Sequence, residues 1–141
     1  MPGLHNQIGT ALAVKVGAIA GMNGASATPV DSIPNTPFAV VGPPSGRLEP
    51  GNWETINAIY PLRIYIGRTS DAARTQTDAN DFLDLFIAAM RTGITLGIAG
   101  VSAALLDSWN TDRFYSVGNE DYQAVDASVR VEIDQPESYT A

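Results

Sequence analysis

Tyr122-Gln-Ala-Val-Asp-Ala-Ser-Val-Arg-Val-Glu-Ile133 places an apolar residue at every second position from Val125 onward: Val125, Ala127, Val129, Val131 and Ile133. Asp126, Ser128, Arg130 and Glu132 stand between them. A period of two is what a strand with one buried and one wet face requires. This is the best-determined strand of the chain, and the other elements are ordered around it.

Upstream, Ala103–Arg113 reads as a strand. It turns through Ser116-Val-Gly-Asn-Glu-Asp121 into the C-terminal one, as an antiparallel hairpin or a meander with a longer loop. Residues 94–100 are Gly-rich and fit neither period. Thr77–Arg91 is the clearest helix, with Phe82, Leu83, Phe86, Ile87 and Met90 as its apolar stripe and Gly93 as its stop. Asp78, Asp81 and Asp84 in its first turns and Arg91 at its end suit the helix dipole. The aspartates point over a wide arc, so the dipole explains them better than a metal does.

Tyr60–Gly67 alternates again, with Leu62, Ile64 and Ile66 on one face and Pro61, Arg63 and Tyr65 on the other. Pro61 near its start marks a strand beginning or an edge. Before it runs a polar loop, 43–57, of a length that is usually functional or disordered. Trp53 in that loop is either a partner anchor or a ring folded back onto the core. Phe38–Val41 is a short strand, ended by Gly42-Pro-Pro-Ser-Gly46. Residues 22–37 turn to Asn, Gly, Ser, Thr and Pro and read as linker. Residues 4–20 read as a helix, with Leu4, Ile8, Leu12 and Ile19 along one stripe and Gly21 as the stop.

The order helix–strand–strand–helix–strand–strand predicts an α+β fold, a four-stranded, mainly antiparallel sheet packed with two helices. The chain of 141 residues fits a single domain. Flexible segments are expected at about 22–37, 43–57 and 134–141.

Charged residues are only 16% of the chain, below the roughly 25% of ordinary soluble domains. Either part of the surface faces other subunits, or the sequence is simply rich in small loop residues. Net charge is −7, and the eight basic residues are scattered, which argues against a phosphate-neutralising face. The absence of cysteine excludes a disulfide scaffold, a thiol enzyme and a Cys-based zinc module. Ala11–Gly21 with Ala25-Ser-Ala27 imitates a signal peptide, but no positive charge precedes it and Lys15 interrupts it. Thr92–Leu106 is too short and too rich in Gly, Ser and Thr to span a bilayer, so no membrane association is expected.

Catalytic chemistry has little to draw on. His5 is the one histidine and reads as a surface or satisfied residue. Without a second His or any Cys, ordinary zinc sites and Ser–His or Cys–His nucleophiles lack parts. Gly100-Val-Ser-Ala-Ala104 lacks the second glycine of a nucleophile elbow. The Gly-rich runs 42–46 and 93–100 lack the lysine and the spacing of phosphate-gripping loops. Asp107 and Asp112 have no fixed separation from another carboxylate, as glycoside hydrolysis would need. Glu120 and Asp121 read as a turn cluster. No enzyme activity, cofactor or metal is expected.

The layout resembles the tail terminator, or tail-completion, proteins of long-tailed bacteriophages. The resemblance rests on the N-terminal helix of a short chain, the strands Phe38–Val41 and Tyr60–Gly67 with a long loop between them, and the Ala/Asp-rich approach to a helix, Asp71–Met90. A closing strand of the form Tyr-x-x-Val/Ala-x-Ala-x-Val-x-Val-x-Ile, here Tyr122–Ile133, completes it. It covers most of the chain by pattern rather than by an invariant motif, and the linker 22–37 departs from it. The resemblance implies a homo-oligomeric ring, typically hexameric, that caps the tail tube at the head-proximal end of the virion. Such a ring stops tube polymerisation and offers its other face to the head–tail connector protein. It is assembled in the host cytoplasm and lets DNA through without specific binding. Loop 43–57, with Arg47, Trp53 and Glu54, is the expected partner contact. The alternatives are another neck, connector or tail-tube component, or a small α+β ligand-binding or hydrolytic protein whose cleft would gather Asp107, Asp112, Arg113 and Glu120.

Overall fold

The computed structural model describes residues 3–46 and 55–134. In chain order the elements are α1 (Leu4–Gly17), β1 (Ala25–Ser26), β2 (Phe38–Val41), β3 (Ser45–Gly46) and β4 (Ile56–Arg68). A 3₁₀ turn (Thr69–Asp71), α2 (Ala72–Met90), β5 (Val101–Val117) and β6 (Glu120–Ile133) follow. The fold is α+β, with two helices and a mixed sheet of six strands ordered β1-β2-β4-β6-β5, β3 pairing with β4.

The expected four-stranded sheet is therefore corrected to six strands. The other four, β2, β4, β5 and β6, were all predicted. The two additions are dipeptides inside the segments 22–37 and 43–57, too short to display any period. β1 pairs with β2 in parallel, whereas every other pairing is antiparallel. β5 and β6 form the expected hairpin, closed so tightly that Val117 pairs with Glu120 and Gly118 turns with φ +63°.

The two periods of the sequence meet in one core. Ala58, Tyr60, Leu62, Ile64 and Ile66 of β4 are buried on the same side as Val125, Ala127, Val129, Val131 and Ile133 of β6. Leu4, Ile8, Leu12 and Val16 of α1 join them, with Ala79, Phe82, Phe86 and Met90 of α2. Spacing by three and four turns each set toward the sheet. Fully burying one such side chain stabilises the fold by roughly 1.5–3 kcal/mol.

α2 begins five residues earlier than predicted, at Ala72, and this removes the dipole account of its aspartates. Asp78, Asp81 and Asp84 lie in its middle turns, exposed, and no acidic residue occupies the first turn. Their role is that of a solvated face, with Arg74 paired to Asp78 at 4.0 Å. α1 ends at Gly17 rather than at residue 20: Ala18 still donates to the Val14 carbonyl, but Ile19 donates to Val16, three residues back, and the α-helical ladder stops there.

Polar pins fix the helices on the sheet. Lys15 of α1 donates to the carbonyls of Thr92 and, at 3.4 Å, Gly93, beyond the C-terminus of α2. That places a cation where the helix dipole favours one. The imidazole of His5 meets the hydroxyl of the buried Tyr60, so the lone histidine is a satisfied packing residue. Gln123, also buried, donates to Gln76 Oε1 of α2 at 3.0 Å and to the Thr111 carbonyl of β5 at 3.1 Å. Among the described residues no helix is long and apolar enough to cross a membrane.

Two predictions follow from this packing. A Cβ on Gly67, at the β4 bulge, would stand 2.8 Å from Thr75 Oγ1, and that buried hydroxyl donates to the Arg68 carbonyl at 3.1 Å. Gly67→Ala should cost about 1–3 kcal/mol in urea unfolding, and the double variant with Thr75→Ala should lose less than the sum of the single changes. Burial holds the His5 pKa below its usual 6.5, so the folded state favours the neutral ring. Its contribution is complete above the unfolded pKa and is lost as pH falls through the depressed folded value. The decline in unfolding midpoint from about pH 6.5 to pH 5 should be smaller in His5→Gln.

Candidate functional site on the helix-free face of the sheet

The helices cover one side of the sheet, and the polar positions of β4 and β6 fall on the other. In that register Pro61 stands opposite Ser128, Arg63 opposite Asp126 and Tyr65 opposite Ala124. The next pairing sets Asn110 of β5 opposite Asp126, Arg113 opposite Ala124 and Tyr115 opposite Tyr122. A concavity of about 630 Å³ lies here. Pro29, Val30 and Pro43 border it on the β2 side, and Trp109, Arg113 and Tyr115 on the β5 side.

Its floor is a three-residue polar centre. Arg63 Nε donates to Asp126 Oδ1 at 3.1 Å, and the Tyr115 hydroxyl donates to Asp126 Oδ2. The Arg63 guanidinium lies 3.5 Å from the centroid of the Tyr115 ring, a cation–π contact. Tyr65 meets Tyr115 edge-on at 6.5 Å and Tyr122 at 5.8 Å. Burial works against the Arg63 charge, but its bonds to Tyr65 and Asp126 outweigh that and raise its pKa. The Tyr115 phenol is also raised, first by burial and then by its hydrogen bond to Asp126. Both oxygens of Asp126 are engaged, so the centre is a closed ion pair with a locked phenol.

Arg113 is different. It is exposed on the rim, and among the described residues it makes no ion pair. Among the described residues, the concavity thus carries one uncompensated positive charge, in a chain of net charge −7. β5 is the outer strand, and two large side chains stand out from it, Trp109 at 50% and Phe114 at 61% exposure.

The carboxylates weighed from sequence are not gathered here. Asp107 and Asp112 sit at irregularities of β5, the latter with its N–H on Asn110 Oδ1, and Glu120 pairs with Arg68 at 3.7 Å. Of that group only Arg113 lines the concavity. No cluster of three potential metal ligands occurs among the described residues. Arg47, Trp53 and Glu54 lie outside the described residues. Sequence reading did not single out Arg63, Tyr115 and Asp126, although alternation had already placed Arg63 and Asp126 on polar faces. The missing information was that β4 and β6 are neighbours.

No family model matches the chain, and no curated protein matches it either.

Because burial, and then the hydrogen bond to Asp126, raise the phenol, Tyr115 should titrate above free tyrosine in an ultraviolet phenolate titration, with Tyr115→Phe identifying its signal. In Asp126→Asn that midpoint should fall part of the way, since the burial contribution remains. An unchanged midpoint would contradict the arrangement.

Proposed function

We propose that this chain is a structural subunit that works by assembling with copies of itself and with neighbours, as the tail terminator ring of a long-tailed bacteriophage. The observation that carries the reading is the one-sided construction of the fold. Both helices lie on one face and leave the other bare and sculpted, while the outer strand of 17 residues also exposes Trp109 and Phe114, in register with Ala127 and Gln123 of the helix-side face. Ala104 of this strand donates its N–H to the Ile94 carbonyl, and beyond that point no other strand among the described residues pairs with its outer side, which makes it a template for pairing with another chain. Large aromatics are the side chains that interfaces concentrate.

The closed Arg63–Asp126–Tyr115 centre supports the same reading. A general base needs a carboxylate or imidazole within reach of a substrate proton. Here the carboxylate of Asp126 is engaged at both oxygens, and His5 packs against Tyr60 instead. An acidic subunit with scattered arginines suits a ring whose opening passes DNA without gripping it. The ring would cap the tail tube protein on one side and receive the head–tail connector protein on the other. The hexameric count, the head-proximal position in the virion and assembly in the host cytoplasm belong to this proposal.

Light scattering on a sizing column, followed by negative-stain imaging with and without tube protein, tests it. One closed ring that seats on tube ends and halts their growth is expected. Open stacks would make the chain a tube subunit. A monomer that ignores the tube would overturn the proposal.

A further inference from the structure

The concavity is built of two unlike halves. On the β2–β4 side its walls are proline rings. Gly42 lies against Pro61: it donates its N–H to the Pro61 carbonyl at 2.7 Å, and a Cβ there would stand 2.7 Å from Pro61 Cγ. Pro43 follows directly, and Pro29 and Val30 border the same side. Beyond Val30 the chain runs toward the β5–β6 turn, where the Asp31 carbonyl approaches Gly118. Ile33 there packs on the cluster of Tyr65, Tyr122 and Ala124, so this end of the helix-free face is closed.

On the β5–β6 side the lining is polar and its donors are unspent. Ser108 stands opposite Ser128, Asn110 opposite Asp126 and, across a bulge, Arg113 opposite Ala124. Asp126 and Ala124 are two residues apart, so Arg113 rises from the same face as the polar centre. Among the described residues neither serine hydroxyl has a hydrogen-bond partner. Asn110 accepts the Asp112 N–H on Oδ1, which leaves its amide hydrogens to donate. The Arg113 charge reaches the floor, since it works against the rise in the Tyr115 pKa. An oxyanion is what such a set of donors with one spare cation accommodates. A guanidinium grips a single carboxylate through two parallel hydrogen bonds. A nucleic-acid backbone, with a phosphate at every nucleotide, takes several basic residues to neutralise, and this lining has one to spare. Strands lie roughly 4.8 Å apart, so about 10 Å separates β5 from the proline wall on β4. In an extended polyproline-type segment, residues three apart share one side of the chain at roughly 9 Å.

We infer that the concavity binds an extended segment of another protein, its acidic side chain on Arg113, Asn110 and the two serines and an apolar or aromatic side chain three residues away against Pro43 and Pro61. Taking the occupant for another protein rests on the assembly role proposed above, whereas the chemistry it must carry comes from the lining alone. The Arg63–Asp126 pair fixes the floor before the segment arrives. Preorganisation of that kind reduces the entropic cost of binding.

Nuclear magnetic resonance titration of the full chain tests the inference, with the blocked tetrapeptide acetyl-Glu-Pro-Pro-Trp-amide as probe and its neutral twin, acetyl-Gln-Pro-Pro-Trp-amide, beside it. Saturable shifts are expected at the amides of Ser108, Asn110, Arg113 and Ser128. The glutamate peptide should bind about tenfold more tightly than its twin, or better, as hydrogen bonds to a charged group do. In Arg113→Gln the two peptides should bind alike, with the spectrum otherwise preserved because that side chain is exposed. Pro43→Ala should weaken both peptides by a common factor. Equal affinities for the wild-type chain, a preference that survives Arg113→Gln, shifts confined to other surfaces, or no saturation by millimolar peptide would overturn the assignment. So would a thymidine oligonucleotide that binds through Arg113 in preference to the peptide. A ring that seats on tube ends yet ignores the peptide would overturn this assignment alone. A chain that binds the peptide as expected but stays monomeric beside the tube would uphold the site and overturn the terminator reading.

Discussion

The antiparallel registration of β4 on β6 is the interaction on which the rest depends. It runs from Ile56 opposite Ile133 to Arg68 opposite Tyr122, with one irregularity after Tyr65. On one side it aligns Tyr60 with Val129, Leu62 with Ala127 and Ile64 with Val125, the apolar floor on which both helices rest. On the other it sets Arg63 against Asp126. A slip of one residue would turn the apolar set to solvent and the ion pair into the core, so both are fixed together. The core supplies the stability of this register, and the polar face inherits its geometry from it.

Much of that was legible beforehand, because strands with one buried face declare it. The alternation from Val125 to Ile133 is the burial pattern observed, and the division of Tyr60–Gly67 into Leu62, Ile64 and Ile66 against Pro61, Arg63 and Tyr65 survives in the fold. The stripe of α2 was legible for the same reason, since Phe82, Phe86 and Met90 repeat at helical spacing. Neighbourhood was not legible. Nothing in a period says that β6 lies between β4 and β5, and the polar centre exists only because it does. The ends of elements also escaped. The first turn of α2, Ala72–Thr75, carries no stripe except through Thr75, which is buried for its hydrogen bond to Arg68 rather than for hydrophobicity.

The bare face shows how a chain poor in reactive groups can still be specific. Its charges are spent on one another: Asp126 takes Arg63 and the Tyr115 phenol together, and the guanidinium lies over the phenol ring. A partly exposed ion pair contributes little stability by itself, on the order of 1 kcal/mol or less. Its value here is shape, because it holds an arginine, a tyrosine and an aspartate in one arrangement beneath a rim that keeps Arg113 and Trp109 available. Recognition by fixed shape with one spare charge suits the proposed assembly role.

Hydrogen–deuterium exchange, followed from dilute to assembled protein, tests this most directly. Amides of β5 between Ser108 and Tyr115 should gain protection on assembly, while those of β6 from Val125 to Ile133, already paired on both sides, should exchange slowly throughout. Exchange along β5 that stays the same at every concentration, and in the presence of tube protein, would contradict the account.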